Sequence, residues 1–122
     1  MKISISILLT LLLSQPIVAA ELLYFYDSFC GACQKFDEEV GSYYNNTAES
    51  KVIPIRKVEF STWRHLAEKP YAEMLTKTII GTPTFVMIED GQEIDRLVGY
   101  SNNELFWLSY TAMQNKLRGG IR

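Results

Sequence analysis

Apolar positions along this chain fall into blocks whose period changes from block to block. Ile3 to Leu13 is apolar apart from Ser4, Ser6 and Thr10, with Met1-Lys2 before it and Pro16 after it. Glu21-Leu-Leu-Tyr-Phe-Tyr26 is a compact apolar run rich in aromatics, which predicts a buried strand. After a turn through Asp27, Ser28, Phe29 and Cys30, the residues Cys33, Phe36, Val40 and Tyr43/Tyr44 recur every three or four positions. That spacing predicts a helix over about 32–44 with one inner face. Val52, Ile53, Ile55 and Val58 predict a second strand within 51–60, and Pro54 puts its start at an edge or a bulge. From 61 to 78, Trp63, Leu66, Tyr71, Met74 and Leu75 have helical spacing, which Pro70 should split into two short helices. Thr84 to Glu89, the turn pair Asp90-Gly91 and Gln92 to Gly99 predict a strand, a tight hairpin and a strand. Ser101-Asn-Asn-Glu104 has the form of a capping box, opening a last amphipathic helix through Leu105, Leu108 and Leu117.

The order is therefore β-α-β-α-β-β-α, an α/β pattern. Two strands joined through a helix should be parallel by the right-handed crossover rule, and the hairpin adds two antiparallel strands. A four-stranded mixed sheet with helices on both faces follows. A chain of 122 residues suffices for one such domain and is short for two. The first twenty residues stand apart: a basic start, an apolar stretch, a helix breaker and the small residues Val18-Ala19-Ala20 make a secretory signal peptide. Cleavage is expected between Ala20 and Glu21, leaving residues 21–122 as the domain, in the periplasm or secreted. The alternative is an uncleaved anchor, but the apolar part is shorter than the roughly 20 residues a membrane span needs. With Lys2 removed, 11 basic residues face 14 acidic ones, a formal charge of −3. No basic stripe exists, which argues against nucleic acid as a partner. Gly119-Gly120-Ile121-Arg122 has the look of a frayed tail.

Cys30 and Cys33 are the only cysteines, and they flank Gly31-Ala32 at a strand-to-helix junction. An exported protein can pair them. As a staple such a pair closes a very short loop and removes little unfolded-chain entropy, so exchange chemistry is the better use. A helix amino terminus offers unpaired N–H groups and partial positive charge, both favouring thiolate over thiol. Cys30 at the tip is then the expected nucleophile, and Cys33, one turn in and facing the core, the resolving thiol. Gly31 and Ala32 are small enough for a substrate sulfur to approach. A metal site needs about four ligands, and two thiols with His65 fall short of that. His65 itself, beside Trp63 and Arg64, fits a surface or packing role.

Gly81-Thr82-Pro83-Thr84 precedes a strand about fifty residues after the cysteine pair. With Cys30, Cys33, Asp90-Gly91 and Gly99, it makes residues 21–122 resemble the thioredoxin family from end to end. The resemblance implies the thioredoxin fold in a minimal form and thiol–disulfide oxidoreductase activity with no cofactor beyond the Cys30–Cys33 pair. It implies a cis peptide bond before Pro83, Thr82 backbone groups that pair with an extended substrate segment, and Gly99 where substrate backbone passes close by. The departures are as informative. Typical thioredoxins begin with a further strand and helix, carry tryptophan where Phe29 stands, and have Gly-Pro between the cysteines. They also place a buried acid, which takes the proton of the resolving thiol, where this chain has Tyr24; a water, Glu59 or Lys57 would have to serve instead.

More narrowly, ELLYFYDSFCGACQKFDEEVG, GTPTFVMIEDGQEIDRLVGY and ELFWL resemble the small periplasmic SoxS-type thioredoxins of bacterial sulfur-oxidation systems. That resemblance implies reduction of a partner protein whose cysteine has become blocked, reactivating a sulfur-oxidation carrier. The expected protein is a monomer that reduces disulfides or mixed disulfides of partner proteins and is recharged by a membrane thiol donor. Two alternatives stay open: an oxidant that forms disulfides, and a non-catalytic module that holds a partner along Thr82-Pro83.

Overall fold

The computed structural model describes residues 19–60 and 64–118, without the side chains of Arg64 and His65. The signal-peptide stretch up to residue 18, Trp63, the His65 side chain and the tail 119–122 lie outside the described residues. Strand β1 is Ala20–Tyr26, β2 is Ile55–Glu59, β3 is Thr84–Glu89 and β4 is Gln92–Val98. They form one sheet in the order β2-β1-β3-β4, with β2 parallel to β1 and the other pairs antiparallel. This is the mixed sheet that the crossover rule requires. Ala20, on the upstream side of the expected cleavage point, already pairs with Glu89, and the Ala19 carbonyl accepts from the Asp90 N–H.

Alternation along β1 divides the core in two. Leu22 and Tyr24 face one side with Phe85, Met87, Phe36, Val40, Tyr44, Phe106 and Tyr110. Leu23 and Phe25 face the other with Val58, Phe60, Ile79, Val86 and Ile88. β3 is buried along its whole length, because it lies inside the sheet with elements on both faces. Asp90 and Gly91 both have positive φ, the backbone that a two-residue hairpin turn demands.

Several elements differ from the spacing-based expectations. The first helical stretch, 31–44, is not regular: α1 (Gly31–Phe36) runs into a π-helical turn at Asp37–Gly41 and then α2 (Ser42–Tyr44). Residues 51 and 52 are not strand. They end a short helix, α3 (Ala48–Val52), capped by Thr47, whose hydroxyl accepts from the Ser50 N–H at 3.2 Å. The second strand starts only after Pro54, on a sheet edge, where a missing N–H costs nothing. The helical pattern of 61–78 stops early. Helix α4 (Arg64–Glu68) passes into a 3-10 turn at Lys69–Tyr71, with Pro70 in its first turn. Met74 and Leu75 pack on the second core from irregular backbone.

The last helix, α5 (Asn103–Gln114), corrects both its cap and its face. Asn102, not Ser101, is the cap, with its side chain accepting from the Leu105 N–H at 2.9 Å. The buried side chains of the helix are Phe106, Tyr110 and Met113, and Leu117, beyond the helix end, is buried as expected, while Leu105 and Leu108 stay exposed. The aromatic stripe wins because it meets the aromatic floor of the first core: Phe106 contacts Phe36 and Phe85, with ring centroids 5.0 and 5.1 Å apart. Phe106→Ala should therefore cost about 3–5 kcal/mol, whereas Leu105→Ala and Leu108→Ala should each stay within about 0.5 kcal/mol. Urea unfolding of the three variants checks the assignment of the face.

Candidate functional site

The turn between β1 and α1 is built by its own backbone. The Asp27 side chain accepts from the Phe29 N–H at 3.2 Å, and its carbonyl accepts from the Cys30 N–H at 3.1 Å. That is the local turn chemistry of an aspartate, and it delivers Cys30 to the helix as its cap residue. Cys30 has extended backbone, and its sulfur accepts from the Cys33 N–H at 3.1 Å. A sulfur in the N-cap position occupies the place where a side-chain oxygen usually accepts, facing unpaired N–H groups and the positive end of the helix.

Cys30 and Cys33 form a disulfide with Cα atoms 5.1 Å apart. Cys30 is half-buried, Gly31 is exposed and Ala32 half-buried, but Cys33 is 1% accessible and belongs to the first core. The two sulfurs are therefore unequal in access. Nothing lies within 4 Å of where a side chain on Gly31 would begin, so the surface over the disulfide is open there. Phe29, next to Cys30, is 96% exposed.

Sheet register brings the other predicted residues to the same end of the molecule. Thr84, the first residue of β3, pairs with Phe25 near the end of β1 and with Val98 at the end of β4. Pro83 and Gly99 thus flank that row, and the Gly99 N–H donates to the Pro83 carbonyl at 2.7 Å. The Thr82–Pro83 peptide bond is cis. Pro83 is buried and Thr82 half-buried, and Thr84 Oγ1 donates to the Gly81 carbonyl at 2.6 Å. Gly99 has φ +92°, with open space where a Cβ would stand. Its glycine answers to backbone conformation.

Two contacts hold the Gly99 loop against the active-site helix. Lys35 Nζ donates to the Ser101 carbonyl and Tyr100 OH to Glu39, both at 2.6 Å. On the opposite side, a buried ion pair within β4 grips the segment leading to Pro83. Arg96 Nε meets Glu93 at 2.6 Å, with the two side chains 8% and 4% exposed. The Arg96 guanidinium also donates to the Thr78 and Lys77 carbonyls, and Glu93 accepts from the Thr76 N–H. Burial alone would raise the Glu93 pKa. The hydrogen bonds from Arg96 and Thr76, with the charge of Arg96, outweigh it and hold the carboxyl below its ordinary value.

Beneath Cys33 lies Tyr24, in the place of the family's buried acid. Its hydroxyl is 3.1 Å from the Cys33 carbonyl and 3.0 Å from Asp37 Oδ1, able to donate to either. Lys57 Nζ stands 3.8 Å from Asp37 Oδ2 and 4.4 Å from the centre of the Tyr26 ring. Burial first, then the adjacent Asp37 carboxylate, pushes the Tyr24 hydroxyl far above the ordinary tyrosine value, so it stays protonated. Of the groups expected to stand in for the acid, Lys57 is at hand. Glu59 instead approaches the Ser28 hydroxyl, at 3.4 Å. Asp37 was missed by sequence reasoning. Its signal was its place four residues after Cys33, one helical turn on.

A thioredoxin fold with a disulfide capping its first helix defines a thiol–disulfide oxidoreductase. The chain belongs to the thioredoxin-like domain family, whose pattern matches residues 20–113. Among solved structures it is similar to the periplasmic thioredoxin SoxS from Paracoccus pantotrophus in its reduced form. Identity is 26% over 80% of this chain and 97% of that one, with a TM-score of 0.69. It shares the fold with the thioredoxin of Malassezia sympodialis, at 22% identity and a TM-score of 0.58, over 78% of this chain and 76% of that one. The Fasciola hepatica thioredoxin is also similar, at 23% identity and a TM-score of 0.53, covering 75% and 79% respectively. A search of curated proteins gives no match. Among the described residues, no helix is long and apolar enough to cross a membrane.

Proposed function

We propose that this protein works in the periplasm as a reductant of disulfides or mixed disulfides in partner proteins, with Cys30 as nucleophile and Cys33 as resolving thiol. The observation that carries the reading is the inequality of the two sulfurs. Cys30 caps the helix at the surface, and Cys33 is sealed in the core. In the reduced protein the Cys30 thiolate attacks a substrate disulfide, forming a mixed disulfide and expelling one substrate thiolate. Cys33 then attacks Cys30, releasing the second substrate thiolate and leaving the Cys30–Cys33 disulfide. Two electrons pass to the substrate in each cycle, and a thiol donor at the membrane restores the dithiol.

The substrate segment lies across Gly31 and Ala32 and along Thr82, Pro83 and Gly99, pairing with the Thr82 backbone as a short added strand. Exposed Phe29, Ile80 and Val98 supply apolar contact near it. Support for the compartment comes from the N-terminal signal-peptide pattern and from the similarity to a periplasmic thioredoxin. The substrate we propose is the one implied by the sequence resemblance to SoxS-type thioredoxins, a sulfur-oxidation carrier protein blocked at a cysteine. The Cys30 pKa should lie below the free value of about 8.5, as expected at a helix amino terminus. Limiting iodoacetamide on the reduced protein, followed by peptide mapping across pH, checks this. Label should fall on Cys30, and preferential labelling of Cys33 would reverse the assignment.

A further inference from the structure

A protein segment must reach the Cys30 sulfur and the edge formed by Thr82, Pro83 and Gly99 at the same time. The gap between that edge and the helix capped by Cys30 is therefore part of recognition. We propose that Tyr100, Glu39 and Lys35 are positioning residues that fix this gap, and so set how well an extended protein segment docks, while taking no part in the sulfur chemistry. The inference rests on the oxidoreductase reading above and concerns docking alone.

Residues 99–102 join β4 to α5, and they begin with Gly99 at φ +92°. Glycine has the widest choice of backbone conformations, so this connection depends on ties from outside to hold one of them. Hydrogen bonds from two sides supply those ties. From the sheet side, the Pro83 carbonyl accepts from the Gly99 N–H at 2.7 Å. From the helix side, Lys35 Nζ donates to the Ser101 carbonyl and Glu39 accepts from the Tyr100 hydroxyl, both at 2.6 Å. The two helix-side bonds each involve a charged group, the stronger sort of hydrogen bond. Lys35 lies in α1 and Glu39 one turn further on, in the π-helical turn. The Tyr100 ring stands edge-on to Phe36, with centroids 5.4 Å apart, and Phe36 is buried in the same core as Cys33. Contacts thus run without a break from the helix of Cys30 through Tyr100 and Ser101 to Gly99, and from Gly99 to Pro83. With the helix side untied, Gly99 and Pro83 can shift relative to Cys30. A misplacement of about 1 Å in a positioned reactant can cost on the order of 10²-fold. A small disulfide makes no strand pairing and needs Cys30 alone, so it should not register the shift. A contact that merely stabilised the fold would affect both kinds of substrate alike.

Steady-state reduction of insulin, with dithiothreitol as the electron donor, gives KM and kcat on a protein disulfide. Stopped-flow reaction of the reduced protein with dithiobis-nitrobenzoate gives the attack of Cys30 by itself. Tyr100→Phe keeps the ring against Phe36 and removes the donor, and Lys35→Met keeps the stem and removes the charge. Tyr100→Phe should raise KM for insulin about tenfold, as befits a lost hydrogen bond to a charged group, with kcat little changed. Lys35→Met should raise it less, because Lys35 is exposed, and the double variant should exceed either single one. Lys35→Arg and Glu39→Gln, which keep a donor and an acceptor in place, should stay near the wild-type KM. Glu39→Ala should match Tyr100→Phe, and combining those two should add nothing, since they break the same bond. All the variants should attack dithiobis-nitrobenzoate at the wild-type rate. An unchanged KM for insulin in the Tyr100→Phe/Lys35→Met double variant overturns the proposal, as does an equal fall in attack on both disulfides. A wild-type protein that attacks neither disulfide would instead overturn the oxidoreductase reading itself.

Discussion

Cys33→Ala should abolish turnover on protein disulfides and accumulate a stable mixed disulfide through Cys30, whereas Cys30→Ala should abolish turnover and accumulate nothing. The asymmetry follows from burial. With Cys33 removed, the surface sulfur still attacks, but no thiol within reach can release the adduct. With Cys30 removed, the remaining thiol is 1% accessible and cannot meet a substrate sulfur. Non-reducing gels of periplasmic extract mixed with each variant, followed by mass spectrometry of the adducts, check both halves. Equal capture by the two variants would contradict the division of labour between the sulfurs.

The second large effect concerns stability and the docking surface together. Arg96→Ala should destabilise the fold by about 3–5 kcal/mol, because it leaves the buried Glu93 carboxylate without its partner. It also frees the Lys77 and Thr78 carbonyls, which the guanidinium ties down ahead of Thr82-Pro83. Urea unfolding gives the first quantity. The second should appear as a raised KM for a protein disulfide, with little change in attack on dithiobis-nitrobenzoate. The wild-type pair also has a pH signature. Since Glu93 titrates lower in the folded protein than when unfolded, its contribution is complete above the unfolded carboxyl value of about 4.3. It is lost as pH falls through the depressed folded value. Glu93→Gln should remove that part of the acid sensitivity, as urea midpoints at neutral and acidic pH would record.

Both predictions turn on groups of different legibility. The cysteine pair and the unequal burial of its two members could be read from the chain, because they lie within four consecutive residues at a strand-to-helix boundary. The Glu93–Arg96 grip could not, since its value depends on the 76–78 segment folding back over β4. Tyr24 was recognised as a departure from the family, but its partner Asp37 was not, because its one signal, a place one helical turn after Cys33, does not by itself bring a strand hydroxyl 13 residues earlier against it.

What the sequence determined by itself was whatever short-range chemistry decides: the apolar run of β1, the Asp90-Gly91 hairpin, the strand edge after Pro54 and the cysteines at a helix start. Tertiary structure decided where two local readings were equally good. Leu105 and Leu108 have helical spacing as good as that of Phe106, Tyr110 and Met113. Only the aromatic stripe finds Phe36, Phe85 and Tyr44 waiting across the interface, so packing turned the helix. The strand expected from residue 51 yielded its first two positions to a helix because the Thr47 cap satisfies free N–H groups locally, before any sheet partner is near. The site itself was also a tertiary decision. Residues 30, 83 and 99 meet at one end of the sheet because β1, β3 and β4 are paired in register, and that register is set by which alternate side chains enter the two cores.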